Sequence, residues 1–292
     1  SEQRFRSLVM GMENMSVQGY DADRRVILWN SGSERLYGYT AEEALGRRLE
    51  DLIIPEAMRE AVIEAIAKWI EDDIPIPASE LELVGKDGLP VNVYSTHEMQ
   101  RIPARGPEMY CVDIDLSERK EAEQVIRYQA NYDLLTGLAN RHLFMERLRH
   151  QQMHSIDSGR PFALFYMDLD GFKSVNDTFG HDAGDQLLKE AARRMHQCVR
   201  KSDILARVGG DEFTLIMPEF PDPGALARIA NALNRSLSTP FELTEGTASI
   251  AVSIGIAIWP DQSHSMDELI RRADHAMYEA KRAGKNNFKF YA

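Results

Sequence analysis

The stretch Arg207-Val208-Gly209-Gly210-Asp211-Glu212-Phe213 decides how the second half of this chain is read. An apolar run (Ile204, Leu205, Ala206, Val208) leads into the two glycines, and Phe213 to Met217 follows the acidic pair. This pattern predicts a β-hairpin whose turn needs positive φ, which glycine supplies without steric cost. Asp211 and Glu212 would stand at its tip, where the glycines leave room for a bulky ligand. Taken alone, such a stretch is a hairpin and nothing more. Its meaning depends on the segments that converge on it.

Upstream, Phe162 to Met167 is a continuous apolar run, expected as a central strand buried on both faces. It ends in Asp168-Leu169-Asp170-Gly171-Phe172-Lys173. A carboxylate at the end of a buried strand is poorly placed unless something pairs with it, and a metal ion is the economical partner for Asp168. A helix-capping role suits Asp170 better. Next come Asn176-Asp177 and Gly180-His181-Asp182-Ala183-Gly184-Asp185, opening a helix with Leu187, Leu188, Ala191 and Met195 on one stripe. Asp182 and Asp185 can be simple acidic positions at a helix N-terminus. Alternatively, Asp185 can accept the paired hydrogen bonds that guanine's ring N–H and amino group offer, with Asn176 on another edge of the base. Arg200 and Asp203, before the hairpin, read on their own as a surface ion pair worth about 0.5 kcal/mol.

Asp133 to Arg141 is a turn-rich entry, followed by a helix from His142 to about Met153. After the hairpin come a helix over Pro223 to Leu237, a β-rich segment over Ala248 to Ile258, and an amphipathic helix over Met266 to Ala283 closed by Gly284. Lys281 and Lys285 either complement that helix's dipole or contact phosphate. The order of elements suits an α/β sandwich of the ferredoxin-like kind, with the first strand beside the hairpin. Asp168 and Asp211 would then meet as a minimal holder for Mg²⁺ on a nucleoside triphosphate.

The first 116 residues read as a separate small α+β unit. A short amphipathic helix (Arg4 to Met12) precedes strands at Ser16 to Tyr20 and Arg25 to Asn30. Short helices at Ser33 to Tyr37 and Ala41 to Leu45 follow, then a longer one at Glu56 to Ile70 that Pro75 and Pro77 stop. Strands are expected at Ser79 to Val84, Val91 to Met99 and Glu108 to Asp115, the first pair joined by Gly85-Lys86-Asp87-Gly88. Trp29, Asn30 and Trp69 either flank a ligand such as a flavin, or are core packing with Asn30 as a helix cap. Residues 117–132 form a connector, and from Leu116 just before it Ala122, Val125, Ile126 and Gln129 follow near heptad spacing. It reads as an amphipathic linker helix or as a dimeric signalling helix.

Composition narrows the function classes. A net charge of −12 argues against nucleic acid and anionic membranes, which need a basic face. Cys111 and Cys198 lie far apart and are expected as free thiols in the cytoplasm. No run reaches the ~18 apolar residues of a membrane span. The chain starts at Ser1 rather than Met, which leaves room for membrane segments upstream.

Two resemblances follow from these residues. Asp21-Ala22-Asp23, Trp29-Asn30, Tyr37-Gly38-Tyr39, Glu42-Glu43, Gly46, Lys86-Asp87-Gly88 and Asp113-Ile114-Asp115 together resemble a PAS domain, implying a five-stranded antiparallel sheet used for sensing and dimerisation. The absence of histidine from Glu56 to Ile70 speaks against haem of the usual attachment, and the lack of an early-helix cysteine against photoadduct chemistry; the PAS ligand stays open. The hairpin, Asp168 to Asp185, the entry Asp133 to Arg141, Ser253-Ile254-Gly255-Ile256-Ala257 and Ala273 to Asn286 resemble the GGDEF, or diguanylate cyclase, family over 133–292, with a nucleotidyl-cyclase-like sandwich. That resemblance implies condensation of two GTP into cyclic di-GMP and two pyrophosphates by two facing domains of a homodimer. It implies Mg²⁺ (or Mn²⁺) on Asp168, the Leu169 carbonyl and Asp211, with Asp211 or Glu212 assisting deprotonation of the 3′-hydroxyl. Asn176 and Asp185 would read guanine, Lys173, Lys281 and Lys285 would hold the phosphates, and Gly209 and Gly210 would belong to the GTP-binding site. Arg200 and Asp203 would form the RxxD product-inhibition site, since arginine can grip guanine O6 and N7. The competing expectation is a silent domain that binds GTP or cyclic di-GMP as a receptor.

Overall fold

A computed structural model describes residues 9–103, 105–261 and 265–292. The helix expected at Arg4 to Met12 lies largely outside them. The chain divides into two compact units, Ser1–Gln124 and Val125–Ala292. Among the described residues no helix is long and apolar enough to cross a membrane.

The first unit is a five-stranded antiparallel sheet, built from β1 (Ser16–Tyr20), β2 (Val26–Trp29), β3 (Ser79–Val84), β4 (Pro90–Ile102) and β5 (Gly106–Asp115), in the order β2-β1-β5-β4-β3. Between β2 and β3 lie α1 (Ser31–Tyr37), α2 (Ala41–Ala44) and α3 (Arg59–Asp72). Local chemistry fixes the first two starts. The Asn30 side chain accepts from Ser33 N, and Thr40 with Glu43 forms a reciprocal capping box. α3 ends at Asp73, left-handed at φ 58°, before either proline is reached. Asn30 is fully buried; its amide also donates to Val9, Met12 and Met15 carbonyls, tying down the preceding segment. Trp29 packs on Tyr37 and donates to the Tyr39 carbonyl. These residues are core and cap; neither Trp29 nor Trp69 lines the unit's apolar cavity.

A continuous helix, α4 (Ser117–Asn131), leads into the second unit. None of its residues is buried, and Val125 and Ile126 are more than half exposed. The second unit contains α5 (Arg141–Ser158), β6 (Phe162–Asp170), α6 (Phe172–Phe179), α7 (His181–Cys198), β7 (Ile204–Arg207), β8 (Glu212–Met217), α8 (Pro223–Ser238), β9 (Phe241–Leu243), β10 (Gly246–Ala248), β11 (Ala251–Trp259), α9 (Met266–Arg282) and β12 (Phe288–Phe290). Its main sheet has the order β12-β11-β6-β8-β7, so β6 is central and β8 lies beside it as expected. β6 is apolar on both faces because both are covered. Ala163, Phe165, Met167 and Leu169 join the core with α7 and α8, while Phe162 and Leu164 join the core with α5 and α9. The small hairpin β9–β10 and the edge strand β12 were not anticipated: three-residue strands are too short for alternation to register.

Candidate active site

The open end of β6 and β8 gathers the acidic residues. Asp168 lies opposite Glu212 across the β6–β8 ladder, and Leu169 N donates to the Asp211 carbonyl at 3.1 Å. Asp168 shares its face of β6 with Tyr166, whose hydroxyl approaches Glu212 Oε2 at 3.4 Å. α9 crosses the same face over Gly255 of β11. A Cβ there would come 1.9 Å from the Ala273 carbonyl oxygen and 2.2 Å from Met277 N. Only glycine lets the helix lie that close, and that approach carries Lys281 Nζ to 2.8 Å from Asp168 Oδ1.

The turn before β8 is not built as its glycines suggested. Neither Gly209 nor Gly210 has a left-handed backbone. Val208 N and Gly209 N both donate to the Glu212 carbonyl, at 3.0 and 3.4 Å. Gly209 is required by proximity: a Cβ would sit 2.5 Å from Glu212 Oε2, whereas at Gly210 nothing lies within 4 Å. The first glycine seats a carboxylate and the second leaves open space. The turn is held from behind by Arg207, which donates to the Gly210 carbonyl (3.0 and 2.8 Å) and to both Asp133 oxygens (3.0 and 3.1 Å). Asp133 also accepts from Thr136 N and Oγ1. Burial works to raise its carboxyl, but these donors outweigh it and hold it below the ordinary value. This pair was missed as a functional contact, although both residues lie inside the quoted motifs.

Electrostatically the acidic cluster is strained. Burial pushes the Asp168 carboxyl up; the Lys281 hydrogen bond opposes this, but the neighbouring charges of Asp211 and Asp170 add to it. Glu212 is raised by burial and by Asp168, Asp274 and Asp211. Burial and the Glu212 charge push the Tyr166 hydroxyl up to about 12. Such a site favours an added cation. Among the described residues no three His, Cys, Asp or Glu side chains form a ready-made metal cluster. Magnesium needs none: it takes one or two carboxylates and completes its shell with water and phosphate oxygens. Two hard carboxylates at adjoining strand ends therefore fit it.

The other expected residues fall around this centre in different ways. Asn176 Oδ1 is turned against Gly184, where a Cβ would meet it at 1.8 Å, and is buried without a partner among the described residues; Asp185 is the next residue and is exposed. Lys173 and Lys285 are exposed. Asp170 caps no helix. Instead it accepts from Ser253 Oγ (2.7 Å) and Asn286 N (3.4 Å), while Gly171 occupies the cap position of α6. Asp203 accepts the Arg200 backbone N–H at 2.8 Å, so the pair is a closed turn and not a side-chain ion pair.

The site is thus an α/β sandwich whose open strand end sets paired carboxylates and an adjacent lysine beside an open glycine turn. The profile of the diguanylate cyclase, GGDEF domain family matches residues 130–287, and a PAS fold profile matches 26–109. The chain belongs to the GGDEF family and carries a PAS domain ahead of it. It is 43% identical over 162 residues to the bifunctional diguanylate cyclase/cyclic di-GMP phosphodiesterase MucR of Pseudomonas aeruginosa, covering 56% of this chain and 24% of MucR. It is 36% identical to the diguanylate cyclase DgcM of Escherichia coli, covering 61% of this chain and 42% of DgcM. The chain thus spans less than half the length of either relative. The coiled coil and GGDEF domain of DgcB from Caulobacter crescentus, solved in complex with c-di-GMP, superposes with a TM-score of 0.56 at 29% identity, covering 60% of this chain and 93% of that one.

Proposed function

We propose that the chain is a PAS-regulated diguanylate cyclase that condenses two GTP into cyclic di-GMP and two pyrophosphates. The observation that carries the reading is the convergence of Asp168, Asp211, Glu212 and Lys281 at the open end of β6 and β8. Asp168, Asp211 and the Leu169 carbonyl would hold Mg²⁺. When bound, the ion would neutralise triphosphate charge and orient the α-phosphate. Lys281, which lies 2.8 Å from Asp168 in this structure, would hold the phosphates together with Lys173 and Lys285. Gly210 admits the nucleotide next to the backbone, and Asn176 with Asp185 reads guanine. Glu212, raised by burial and then by its acidic neighbours, is poised to take the 3′-hydroxyl proton. The remaining work is positioning, which phosphoryl transfer chiefly requires.

Each 3′-hydroxyl attacks the α-phosphate held by the opposite domain, so the reaction needs a dimer. The exposed Val125, Ile126 and Tyr128 of α4 support pairing through that helix. The turn Arg200–Asp203 would bind product, with its Arg200 side chain on the guanine edge. The test is to incubate the purified chain with GTP and Mg²⁺ and resolve products by anion exchange. Cyclic di-GMP with two pyrophosphates is expected, with slowing that Arg200→Ala relieves. GTP binding by a dimer without turnover would favour the receptor reading instead.

A further inference from the structure

We propose that the apolar cavity of the PAS unit binds a small organic amine of about ten non-hydrogen atoms, with its ammonium on Asp113 and its hydrocarbon or aromatic body against α3. The cavity, about 270 Å³, lies between α3 and the sheet. A dry cavity of about 150 Å³ holds benzene, so this volume takes roughly ten non-hydrogen atoms by proportion. Ala61 and Ala65 of α3, with Ala57 in the turn before it, line the open side; Ile53, Ile66 and Met109 supply apolar walls.

The floor is polar, and strand register explains why. Ser16, Asp113 and Ser95 stand side by side across β1, β5 and β4, and Gln18, Cys111 and His97 form the next row. Asp113 is 1% exposed. Its Oδ2 accepts from Gln18 Nε2 (2.6 Å) and Tyr37 Oη (2.5 Å), but its Oδ1 is buried with no partner among the described residues. His97 Nδ1 is likewise unpartnered, while its Nε2 meets Ser95 Oγ at 3.1 Å. Among the described residues no lysine or arginine lines this cavity, and the side chains that donate to Asp113, Gln18 and Tyr37, are neutral. Burial holds Cys111 and Tyr37 well above their ordinary values, and Asp113 adds to this; neither introduces a second charge at neutral pH. A buried acceptor left open is costly, more so on a charged group. An ammonium answers both the empty lone pair and the missing counter-charge, and the apolar walls select its body.

Binding is read calorimetrically on the full chain, so it stands or falls apart from the cyclase reading. The probes are phenethylamine, phenethyl alcohol and ethylbenzene. The amine is expected to bind once per chain, at least about tenfold more tightly than the alcohol. Asp113→Asn should erase that preference, and Ala65→Phe, which fills the cavity, should abolish binding of all three while the chain still melts cooperatively. Equal binding of amine and alcohol overturns the ammonium assignment. Undiminished amine binding by Ala65→Phe overturns the site. No binding of any probe means water alone satisfies Asp113, which also overturns it. If Asp113→Asn does not fold, the amine-to-alcohol ratio and Ala65→Phe decide the matter.

Discussion

The two units place a carboxylate at the same point of a similar frame and surround it differently. Asp113 lies two residues from the end of β5, the central strand of the first sheet, and Asp168 lies two residues from the end of β6, the central strand of the second. Asp113 is sealed among neutral donors, Gln18 and Tyr37, at the floor of a cavity. Asp168 is only partly buried, among further carboxylates and one lysine. The first environment suits selection of one small molecule from solvent; the second suits repeated entry of a metal and a polyphosphate. Position on the strand is shared, so the covering elements and neighbouring charges make the difference.

The sharpest break in that comparison is Asp168→Asn. Turnover should fall by at least about a hundredfold, as for loss of a preorganised charge contact, measured as cyclic di-GMP formed. Stability should change little or rise. A carboxyl raised in the fold binds its proton more tightly folded than unfolded, so its ionised form opposes folding as pH climbs above 3.8. The amide removes that opposition. A large loss of stability would mean that the Lys281 ion pair outweighs the surrounding repulsion.

Gly255→Ala tests the element that brings Lys281 to Asp168. The added Cβ cannot coexist with the backbone of α9, so the helix must shift, at a cost of about 3 kcal/mol in urea denaturation. Turnover should fall with it as Lys281 leaves its place. Full activity in a destabilised variant would show that Lys281 is not positioned by this contact.

Tyr37→Phe makes the corresponding cut in the first unit. It removes one of the two donors on Asp113 Oδ2 and should cost about 2 kcal/mol, as for a hydrogen bond to a charged group. Asp168 would not feel the change, and turnover by an unliganded chain should stay within about twofold. The Tyr37 hydroxyl is kept protonated by burial and by Asp113, so it remains a donor across the neutral range.

How far these environments were legible in the sequence differs between the units for the same reason. The run Phe162 to Met167 announced a central strand because both its faces are covered, and the hairpin placed Asp211 near Asp168 through adjacency alone. What adjacency could not give was the cause of the close approach. Gly255 is one apolar-run residue among Ser253 to Ala257 in the sequence, and its contact with Ala273 and Met277 depends on how α9 crosses the sheet. Gly209 was read as a backbone device, whereas it accommodates the Glu212 carboxylate. In the first unit, Asp113 entered only as part of a resemblance; its burial follows from the registers Ser16↔Asp113 and Ser95↔Asp113, which local periodicity does not encode. Asn30 was legible as a cap because capping is local.

The smallest effect supplies the control for both carboxylates. Glu190 on α7 takes hydrogen bonds from Arg193 and Arg194, and these donors hold it down to about 2 against the opposing effect of partial burial. It therefore has its counter-charges within its own helix and calls for neither metal nor ligand. A depressed folded value contributes stability that is present above the ordinary 4.5 and lost as pH falls toward about 2. Glu190→Gln should flatten the acid limb of the stability curve in that window. At neutral pH it should cost less than about 1 kcal/mol, because the pair is partly exposed and screened. An unchanged acid limb would show that the two arginines do not hold this carboxylate in solution, and that in-chain cations do not distinguish it from Asp168 and Asp113.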